Sequence, residues 1–310
     1  MHIKVSKKSS IRIVFSKIKL PKERSYKGQN GKILIIGGSS LFHAASIWAA
    51  EVASHFVDMV HYSSTIENER LFYSLKKIFR NGIVVPQKEL ENYIKEDDVT
   101  LLGPGMVRQR DKNNILRGEV NLKMLVKIKN EAEYTRNLTH YLINNFSNKK
   151  FVFDAGALQM MDVDWLSKLK TIPIITPHLK EFETLFDQSI NKFSTEKKVD
   201  IVKNTAAKFK VVILLKAVDD IISDGKHTVI VEGGNAGLTK GGTGDVLSGL
   251  VASFFVHNNP FDSAIGASAL LKLTGEKLFK SFGYWYNIND IIKNLPQVMA
   301  EYHPGISSGG

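Results

Sequence analysis

A glycine-rich stretch that runs directly into an apolar segment, Glu232–Phe255, constrains the fold more than any other part of the sequence. Six glycines fall within residues 233–244, and the apolar residues that follow recur at helical spacing. This spacing predicts a buried helix that begins near Thr243 or Asp245. Glycines let backbone N–H groups approach an anion closely, and the helix dipole favours negative charge at that end. The stretch therefore predicts a phosphate-binding loop at a helix N-terminus.

A single acid, Asp245, lies where this loop meets the helix. A carboxylate beside bound phosphate repels it, so an acid at this place needs a reason. One interpretation is a general base that removes the proton from a hydroxyl group attacking phosphorus. The other interpretation is an ordinary helix cap, since Asp is common at helix starts. The number of glycines before the acid favours the general-base interpretation, and both interpretations stay open.

Short apolar runs alternate with helical segments along most of the chain. Runs that are apolar on both faces are typical of parallel strands covered by helices. The sequence therefore predicts an α/β fold with a mostly parallel central sheet and helices on both faces. One late β-hairpin is expected, with Asp220–Ser223 and Thr228–Val231 flanking the turn at Asp224-Gly225-Lys226. The clearest strands are Ile33–Gly37, Met59–Ser63, Val99–Leu102, Phe151–Phe153 and Val211–Leu215.

The chain has 310 residues and no evident linker, so we expect one domain over residues 31–305. Residues 1–30 are basic and are expected to lead into that domain. Residues 106–148 are polar, and we expect a helical surface excursion there, with a mobile loop near Arg108–Asn114. Residues 306–310, made of small residues and one Ile, are expected to form a flexible tail.

Two further glycine-containing turns follow predicted strands. Gly38-Ser39-Ser40 comes after the first strand, and Gly103-Pro104-Gly105 comes after Val99–Leu102. Turns of this kind lie at the carboxyl edge of a parallel sheet, where α/β proteins bind ligands. Neither turn matches the GxGxxG or GxxxxGK[ST] pattern, so the common dinucleotide and P-loop fingerprints are absent.

Composition narrows the classes of function. Cysteine is absent, which excludes disulfides, thiolate metal sites and a cysteine nucleophile. With no long apolar run and no signal-peptide pattern, we expect a cytoplasmic protein without a membrane span. The formal net charge of +11 is compatible with a nucleic-acid partner, a solvated basic surface or polyanionic substrates. Because the lysines are scattered, without a basic stripe interleaved with aromatic residues, we do not expect a nucleic-acid partner.

Several short segments occur in a characteristic order along the chain: KGQNG, LIIGGS, LLGPG, FDAGAL, ITPHLKEF, LLKAVDDIIS and NAGLTKGGTGDVLSG. Together they resemble the ADP/ATP-dependent NAD(P)H-hydrate dehydratases, a family with a ribokinase-like fold. The similarity extends from about Lys27 to Leu273, which is most of the chain. The segments are specific in combination and weak alone. The resemblance implies that residues 31–305 form a ribokinase-like catalytic domain.

The resemblance also implies a reaction. Hydrated NADH or NADPH, in its S form, carries a hydroxyl group on the nicotinamide ring. Enzymes of the family phosphorylate that hydroxyl from ADP or ATP, with Mg²⁺, and the phosphate then leaves to restore NAD(P)H. In this chain Asp245 corresponds to the catalytic base, and the N–H groups of Gly242, Thr243 and Gly244 correspond to the anion hole. The expected activity is therefore that of a carbon–oxygen lyase in metabolite repair.

Binding residues follow from the same resemblance. The positions that correspond to the adenine-nucleotide site are Lys216, Ala217, Val218, Asp219, Asp220 and Gly244. The positions that correspond to the hydrate pocket are Ala45, Gly105, His178 and Asp245. No His, Asp or Glu cluster has metal-ligand spacing, so Mg²⁺ is expected to bind with the nucleotide and not in a dedicated protein cage. A homo-oligomer, such as a tetramer, is also expected.

Simpler interpretations of these side chains stand beside the functional ones. Lys216 at a strand end could be a surface lysine, and His178 could be a turn histidine. Asp154, which follows the strand Phe151–Phe153, could cap the next turn. For the whole chain, the alternatives are a ribokinase-like kinase that phosphorylates a small alcohol, such as a vitamin precursor or a sugar, and a nucleotide- or nucleic-acid-binding protein without turnover.

Three places depart from the family's usual pattern. Ala217 stands where Gly is usual, Ala44-Ala45 replaces Gly-Ala, and Val57-Asp58-Met59 replaces Gly-Ala-Gly. If the backbone at position 217 needed a positive φ, the methyl group of alanine would narrow the nucleotide site. These departures affect the expected shape of the pockets and not the class of reaction.

Overall fold

A ten-stranded sheet forms the centre of the computed structural model, which describes residues 1–75, 80–109, 115–116, 118 and 120–306. The strands are β1 (His2–Lys4), β2 (Lys32–Ile36), β3 (Met59–Ser63), β4 (Gly82–Val84), β5 (Val99–Leu102), β6 (Lys150–Phe153), β7 (Ile174–Ile175), β8 (Val212–Leu215), β9 (Asp220–Ser223) and β10 (Thr228–Glu232). Their order across the sheet is β1-β10-β9-β8-β7-β6-β5-β2-β3-β4.

Parallel pairing dominates the sheet. Every neighbouring pair from β4 to β8 is parallel, and β1 is parallel to β10. Strand β9 is antiparallel both to β10, through the expected hairpin, and to β8. The prediction of a mostly parallel sheet with a late hairpin is confirmed. The second antiparallel pair was not expected, and it arises because residues 216–219 turn the chain back at once instead of crossing over.

Helices cover both faces of the sheet. They are α1 (Lys8–Phe15), α2 (Ala44–Ala53), α3 (Ile66–Leu75), α4 (Leu90–Glu96), α5 (Leu122–Leu125), α6 (Glu131–Asn145), α7 (Ala155–Met160), α8 (Leu179–Phe186), α9 (Thr195–Phe209), α10 (Thr243–Phe255), α11 (Pro260–Phe282) and α12 (Ile288–Tyr302). Short 3₁₀ turns occur at Gln87–Glu89, Val163–Lys168 and Ala236–Thr239. Polar side chains begin several of the helices; for example, Asn130 caps α6 and Asn287 forms a capping box on α12.

Strand β2 shows how the sequence produces two cores. Its successive side chains point to opposite faces, so Ile33 and Ile35 enter one buried cluster while Leu34 and Ile36 enter the other. The first cluster joins the sheet to α1, α2, α10, α11 and α12, and the second joins it to α4, α6, α8 and α9. A strand that is apolar at every position is therefore buried on both sides, as the continuous run predicted.

The N-terminal residues form a strand of the sheet and a helix that packs on it. They were expected to lead into the domain, but β1 extends the sheet beside β10, and α1 packs against the same face as α11. Ile3 and Val5 are buried while His2 and Lys4 are exposed, which is the alternation of a half-buried edge strand. In the sequence this alternation spans only four residues, and basic residues follow it. We therefore propose that the domain includes residues 2–15.

Residues 106–148 also differ from the expectation of a surface excursion. Helix α6 connects the parallel neighbours β5 and β6, and its Leu138 and Leu142 are buried in the second core. It is therefore the crossover helix that a parallel pair requires. The loop expected to be mobile lies mostly outside the described residues, as do residues 307–310 of the expected tail. Of the described helices, none combines the length and apolar character that crossing a membrane requires.

Helices α2 and α10 pack closely at one glycine. A Cβ on Gly249 would lie 2.5 Å from Cγ1 of Val52 and 2.8 Å from the carbonyl oxygen of Ala49. A larger side chain would therefore push apart the two helices that carry the ends of the anion loop and the first βα turn.

We expect Gly249→Val to lower the free energy of unfolding by about 2 kcal/mol or more, because overpacking a buried contact strains both helices. Gly241→Ala is the matched control, since a Cβ there meets no atom within 4 Å. It should change stability by less than about 0.5 kcal/mol. Denaturant unfolding of the two variants checks this, and equal stabilities would contradict the close packing of α2 on α10.

Candidate active site

Hydrogen bonds between neighbouring strand ends align the polar side chains of the site. The N–H of Asp154 donates to the carbonyl of Leu102 at 3.0 Å, and the N–H of Thr176 donates to that of Phe153 at 3.2 Å. The N–H of Lys216 donates to the carbonyl of Pro177 at 2.8 Å. Because these strands are parallel and adjacent, the residues after β6, β7 and β8 form one row at the carboxyl edge of the sheet.

A buried charge network occupies that row. The Lys216 Nζ lies 2.8 Å from Oδ1 of Asp154 and 3.9 Å from Oε2 of Glu181. Asp154 is only 1% exposed and also accepts a hydrogen bond from Oγ1 of Thr176 at 2.8 Å. Although burial lowers the pKa of Lys216, the charges of Asp154 and Glu181 raise it overall, so its ammonium group is retained. Lys216 is therefore not an ordinary surface lysine.

The alternative interpretation of Asp154 as a cap is wrong. Asp154 occupies the cap position of α7, but its side chain makes no capping hydrogen bond and turns instead to Thr176 and Lys216. The backbone conformations of Gly103 and Ala155 allow the side chain of Asp154 to turn this way. Gly103 has φ +126°, and a Cβ there would overlap the carbonyl oxygen of Asp154. Ala155 has φ +41°, a conformation that costs energy for any residue except glycine.

The anion loop has the geometry that its glycines predicted. Gly242 occupies the cap position of α10 with φ +103°, and a Cβ there would lie 2.5 Å from the ring of Trp48 on α2. Among the hydrogen bonds of the described residues, the N–H groups of Gly242 and Gly244 have no acceptor, whereas the N–H of Thr243 donates to the carbonyl of Lys240 at 3.2 Å. Two of the three expected anion-hole donors are therefore free. The Oγ1 of Thr243 is buried and has no partner among the described residues.

Asp245 lies in the first turn of α10, three residues after the cap position that Gly242 fills. The pKa of Asp245 is raised to about 7. Burial is the main cause, and the negative charge of Asp154 contributes more in the same direction than the ammonium of Lys216 does in the opposite one. A Cβ on Gly244 would lie 3.5 Å from the Nζ of Lys216, so the ammonium group borders the same turn. A carboxyl group that titrates near neutral pH beside free N–H donors is suited to act as a general base at an anion site.

The segment expected to bind nucleotide divides into two parts. Lys216 points into the charge network, and Asp220 is buried, accepting hydrogen bonds from the N–H of Ala217 at 3.0 Å and from Oγ of Ser268 at 2.7 Å. Asp220 therefore stabilises the turn between β8 and β9. Val218, which is 88% exposed, and Asp219 face solvent. Ala217 has no positive φ, so its methyl group causes no backbone strain.

The residues expected to line the hydrate pocket lie along the same edge. A Cβ on Gly105, whose φ is +71°, would lie 3.0 Å from Cβ of Ala45 and 3.2 Å from Cα of Gly38. His178 is the cap of α8; its Nδ1 accepts from the N–H groups of Lys180 and Glu181. The backbone of His178 forms an isolated parallel β-bridge with that of Lys216. Together with Glu181, His178 lines a cavity of about 440 Å³. The structure brings these positions to one edge, and it gives His178 the turn role that the simpler interpretation allowed.

Sequence reasoning named Asp154 without deciding between a cap and a functional residue, and it did not name Glu181 or Thr176. Glu181 is 5% exposed; its Oε2 accepts from the N–H of His178 at 2.9 Å and its Oε1 accepts from Nε2 of Gln159 at 2.8 Å. The signal was present, because an acid directly after a parallel strand and an acid in the first turn of the next helix both lie at the ligand edge. Among the described residues, no group of three or more His, Cys, Asp or Glu side chains is arranged to hold a metal ion.

Comparison with solved structures defines the class of fold. A crystal structure of an ADP/ATP-dependent NAD(P)H-hydrate dehydratase from Bacillus subtilis, co-crystallised with ATP and Mg²⁺, superposes with a TM-score of 0.75 at 20% identity, covering 96% of this chain and 98% of that one. A ribokinase-like superfamily protein from Enterococcus faecalis gives a TM-score of 0.74 at 22% identity, covering 94% and 95%. The fold is therefore ribokinase-like, as the sequence predicted.

Sequence comparison defines the family. The NAD(P)H-hydrate dehydratase family model matches residues 33–297. An ADP-dependent (S)-NAD(P)H-hydrate dehydratase of Nitrosopumilus maritimus is 31% identical over 285 residues, covering 91% of this chain and 92% of that protein. A bifunctional NAD(P)H-hydrate repair enzyme of Methanocaldococcus jannaschii is 32% identical over 280 residues, and the match covers 89% of this chain but only 49% of that protein. The chain belongs to the NAD(P)H-hydrate dehydratase family and spans about half the length of its bifunctional relatives.

The raised pKa of Asp245 leads to a prediction about pH. The ionised carboxylate is the active form of a base, so kcat/KM should fall about tenfold per pH unit below about 7. Because the charge of Asp154 raises the pKa of Asp245, Asp154→Asn should move this acidic limb to lower pH even where it slows turnover.

The matched control is Asp200→Asn, which removes a carboxylate from the exposed face of α9 and should leave the limb in place. Profiles of kcat/KM against pH for the three proteins check the prediction. A limb that stays at the same pH in Asp154→Asn would show that Asp154 does not set the pKa of the base.

Proposed function

We propose that this protein catalyses the nucleotide-dependent dehydration of the S form of hydrated NADH or NADPH, restoring NAD(P)H. The observation that carries the proposal is the position of Asp245, a carboxyl group with a pKa near 7 beside free N–H donors and the ammonium of Lys216. Membership of the NAD(P)H-hydrate dehydratase family supports it. Phosphoryl transfer requires positioning and charge stabilisation, which these groups supply.

The first step is transfer of phosphate to the ring hydroxyl. The ionised carboxylate of Asp245 accepts the hydroxyl proton while the oxygen forms a bond to the terminal phosphorus of ADP or ATP, and the P–O bond to the departing AMP or ADP breaks. The N–H groups of Gly242 and Gly244, which have no acceptor among the described residues, would stabilise the charge that develops on the phosphoryl oxygens. Lys216, retained as an ammonium by Asp154 and Glu181, stabilises the same charge from the sheet side.

The second step is elimination. Phosphorylation converts the hydroxyl into a good leaving group, so phosphate departs with the electrons of its C–O bond. The neighbouring carbon then loses a proton to the departing phosphate, and the electrons of that C–H bond restore the double bond. The anion site that held the transferring group also stabilises the departing phosphate, since both are polyanions at the same N–H donors.

Magnesium fits this site only together with the nucleotide. Mg²⁺ prefers oxygen ligands and is commonly held by one or two carboxylates plus substrate phosphates. Within the described residues, acids suited to that role at the site are Asp154 and Glu181, and both already interact with Lys216. When bound, the ion would neutralise phosphate charge, and the nucleotide would supply most of its ligands.

The proposal extends to the setting of the protein. A chain without cysteine suits the cytoplasm, where its substrates are found. A homo-oligomer is supported by exposed aromatic residues that follow one another at the end of α11. Phe282, Tyr284 and Trp285 are 51%, 49% and 87% exposed, and surfaces of this kind are often covered by a partner.

We expect Asp245→Asn to reduce turnover at least about a hundredfold while nucleotide still binds, because the base is lost and the fold is kept. The substitution should also raise thermal stability more at pH 8 than at pH 5. The native pKa of Asp245, about 7, exceeds its ordinary value of 3.8, so ionisation destabilises the folded state increasingly as pH rises from about 4 to 7. Assays and melting curves at both pH values check this; near-normal turnover would remove the proposed mechanism.

A direct assay tests the reaction itself. The protein is incubated with hydrated NADH, Mg²⁺ and either ADP or ATP, and the dihydronicotinamide absorbance and free inorganic phosphate are followed together. The two signals should rise in a ratio of one to one with nucleotide consumed, because phosphate is attached and then expelled. A kinase for a small alcohol would keep the phosphate in its product, so folded protein that restores no absorbance with either nucleotide would reject the proposal.

A further inference from the structure

Two cavities meet at one short segment of the chain. Arg108 and Gln109 line both the cavity of about 440 Å³ that contains His178 and a second cavity of about 610 Å³. The second cavity lies at the carboxyl edge, among residues that follow β2, β3, β4 and β5, such as Ser40 and Gln87. Because they share this segment, the two cavities adjoin across it.

The first cavity reaches the charge network through Glu181. Glu181 lines it, and the carboxylate of Glu181 lies 3.9 Å from the ammonium of Lys216, which borders the turn that carries Asp245. A hydroxyl group held near Asp245 would therefore belong to a ligand that enters from this side. The second cavity lies beyond Arg108, away from the charge network, and the residues assigned to catalysis do not line it.

Arg108 is well placed to bind an anion between the two cavities. Its side chain is exposed and makes no hydrogen bond or ion pair with any residue in the described part of the chain. A guanidinium group offers paired donors that match phosphate oxygens. Among the described residues, two acids line the second cavity. Glu131 is already engaged, since it accepts from the N–H and Oγ of Ser40, both at 2.8 Å, and Glu67 lies in the exposed first turn of α3 without an ion pair to Arg108.

The walls of the second cavity suit a nucleoside. Ile66 and Val126 are 59% and 39% exposed there, so they present apolar surface that a flat ring could cover. At the same cavity the Nε2 of Gln87 donates to Oη of Tyr134 at 2.9 Å, while the Oε1 of Gln87 accepts no hydrogen bond from the described residues and is available to a base or a ribose. Apolar walls with a few placed polar groups are typical of small-molecule sites.

We propose that the second cavity binds the non-reacting nucleoside of the hydrated dinucleotide and that Arg108 holds the diphosphate between its two halves. The reacting ring then lies on the side of His178 and Glu181, and the other half extends past Gln109. This inference rests on the proposed function. It explains why the cavity beside the reacting centre adjoins a second cavity of comparable size. A small alcohol would leave the second cavity empty.

The test compares two ligands that share the reacting ring. Hydrated NADH carries both nucleosides, whereas hydrated reduced nicotinamide mononucleotide lacks the second nucleoside and the diphosphate bridge. Calorimetry without ADP or ATP measures binding with no turnover. We expect wild-type protein to bind the dinucleotide at least about tenfold more tightly, since it gains a charged contact and a second cavity.

Arg108→Gln should weaken dinucleotide binding at least about tenfold and mononucleotide binding less than about threefold, and Arg108→Lys should recover part of the loss. Val126→Trp, which fills the second cavity, should show the same selectivity. Arg24→Gln is the matched control, because Arg24 is exposed in the N-terminal region and should leave both affinities unchanged.

The outcomes separate this inference from the proposed function. Equal wild-type affinity for the two ligands, equal losses for both in Arg108→Gln, or no loss for either would overturn the inference even if the enzyme restores NADH. Selective binding through Arg108 without absorbance recovery would support the second cavity and reject the dehydration reaction. Failure of the wild-type protein to bind either hydrate would reject both.

Discussion

One ammonium group shared by neighbouring carboxylates determines the chemistry of this site. Lys216 compensates Asp154 directly and Glu181 at longer range, and both acids are almost fully buried. A buried ion pair must be complete, because removing either partner leaves an unpaired charge that is costly to bury. Asp245 is the third acid near the same cation, so its ionisation has no full compensation. Burial, and after it the charge of Asp154 that Lys216 offsets only in part, raises the pKa of Asp245 to about 7.

The parallel sheet supplies the precision that such a network needs. Each strand end hydrogen-bonds to its neighbour, so Asp154, Thr176 and Lys216 cannot move independently along the edge. Both faces of the sheet are buried beneath helices, and α10, which carries Asp245, packs on α2 through Gly249. The positions of opposite charges are therefore set by backbone pairing and core packing. Weak attraction between surface charges could not hold them, since water and salt screen it.

Much of the fold could be predicted from local patterns. Strands β3 and β5 and the hairpin strand β9 have the bounds that the sequence predicted, because each is an apolar run bounded by turn residues. Strand β1 was missed because it has only three residues, and short edge strands carry a weak signal. The position of Asp245 at the start of a buried helix after the glycine loop could be inferred from the sequence. The roles of Asp154 and Glu181 could not, because their partner Lys216 is 62 residues from Asp154 in sequence and only the sheet brings them together.

The raised pKa of Asp245 explains how a carboxyl group can act as the proposed base beside a polyanionic nucleotide. While Asp245 is protonated it is neutral, so it does not repel an arriving phosphate, and the free N–H groups and Lys216 attract that phosphate. In the proposed mechanism Asp245 must be ionised to accept the hydroxyl proton, and a pKa near 7 leaves a large fraction of the carboxyl groups ionised at neutral pH. Transfer of that proton removes one negative charge from the site as charge develops on the phosphoryl oxygens. A base with an ordinary pKa would be ionised before the nucleotide arrived and would oppose its binding, so the buried network makes the anion loop and its acid compatible.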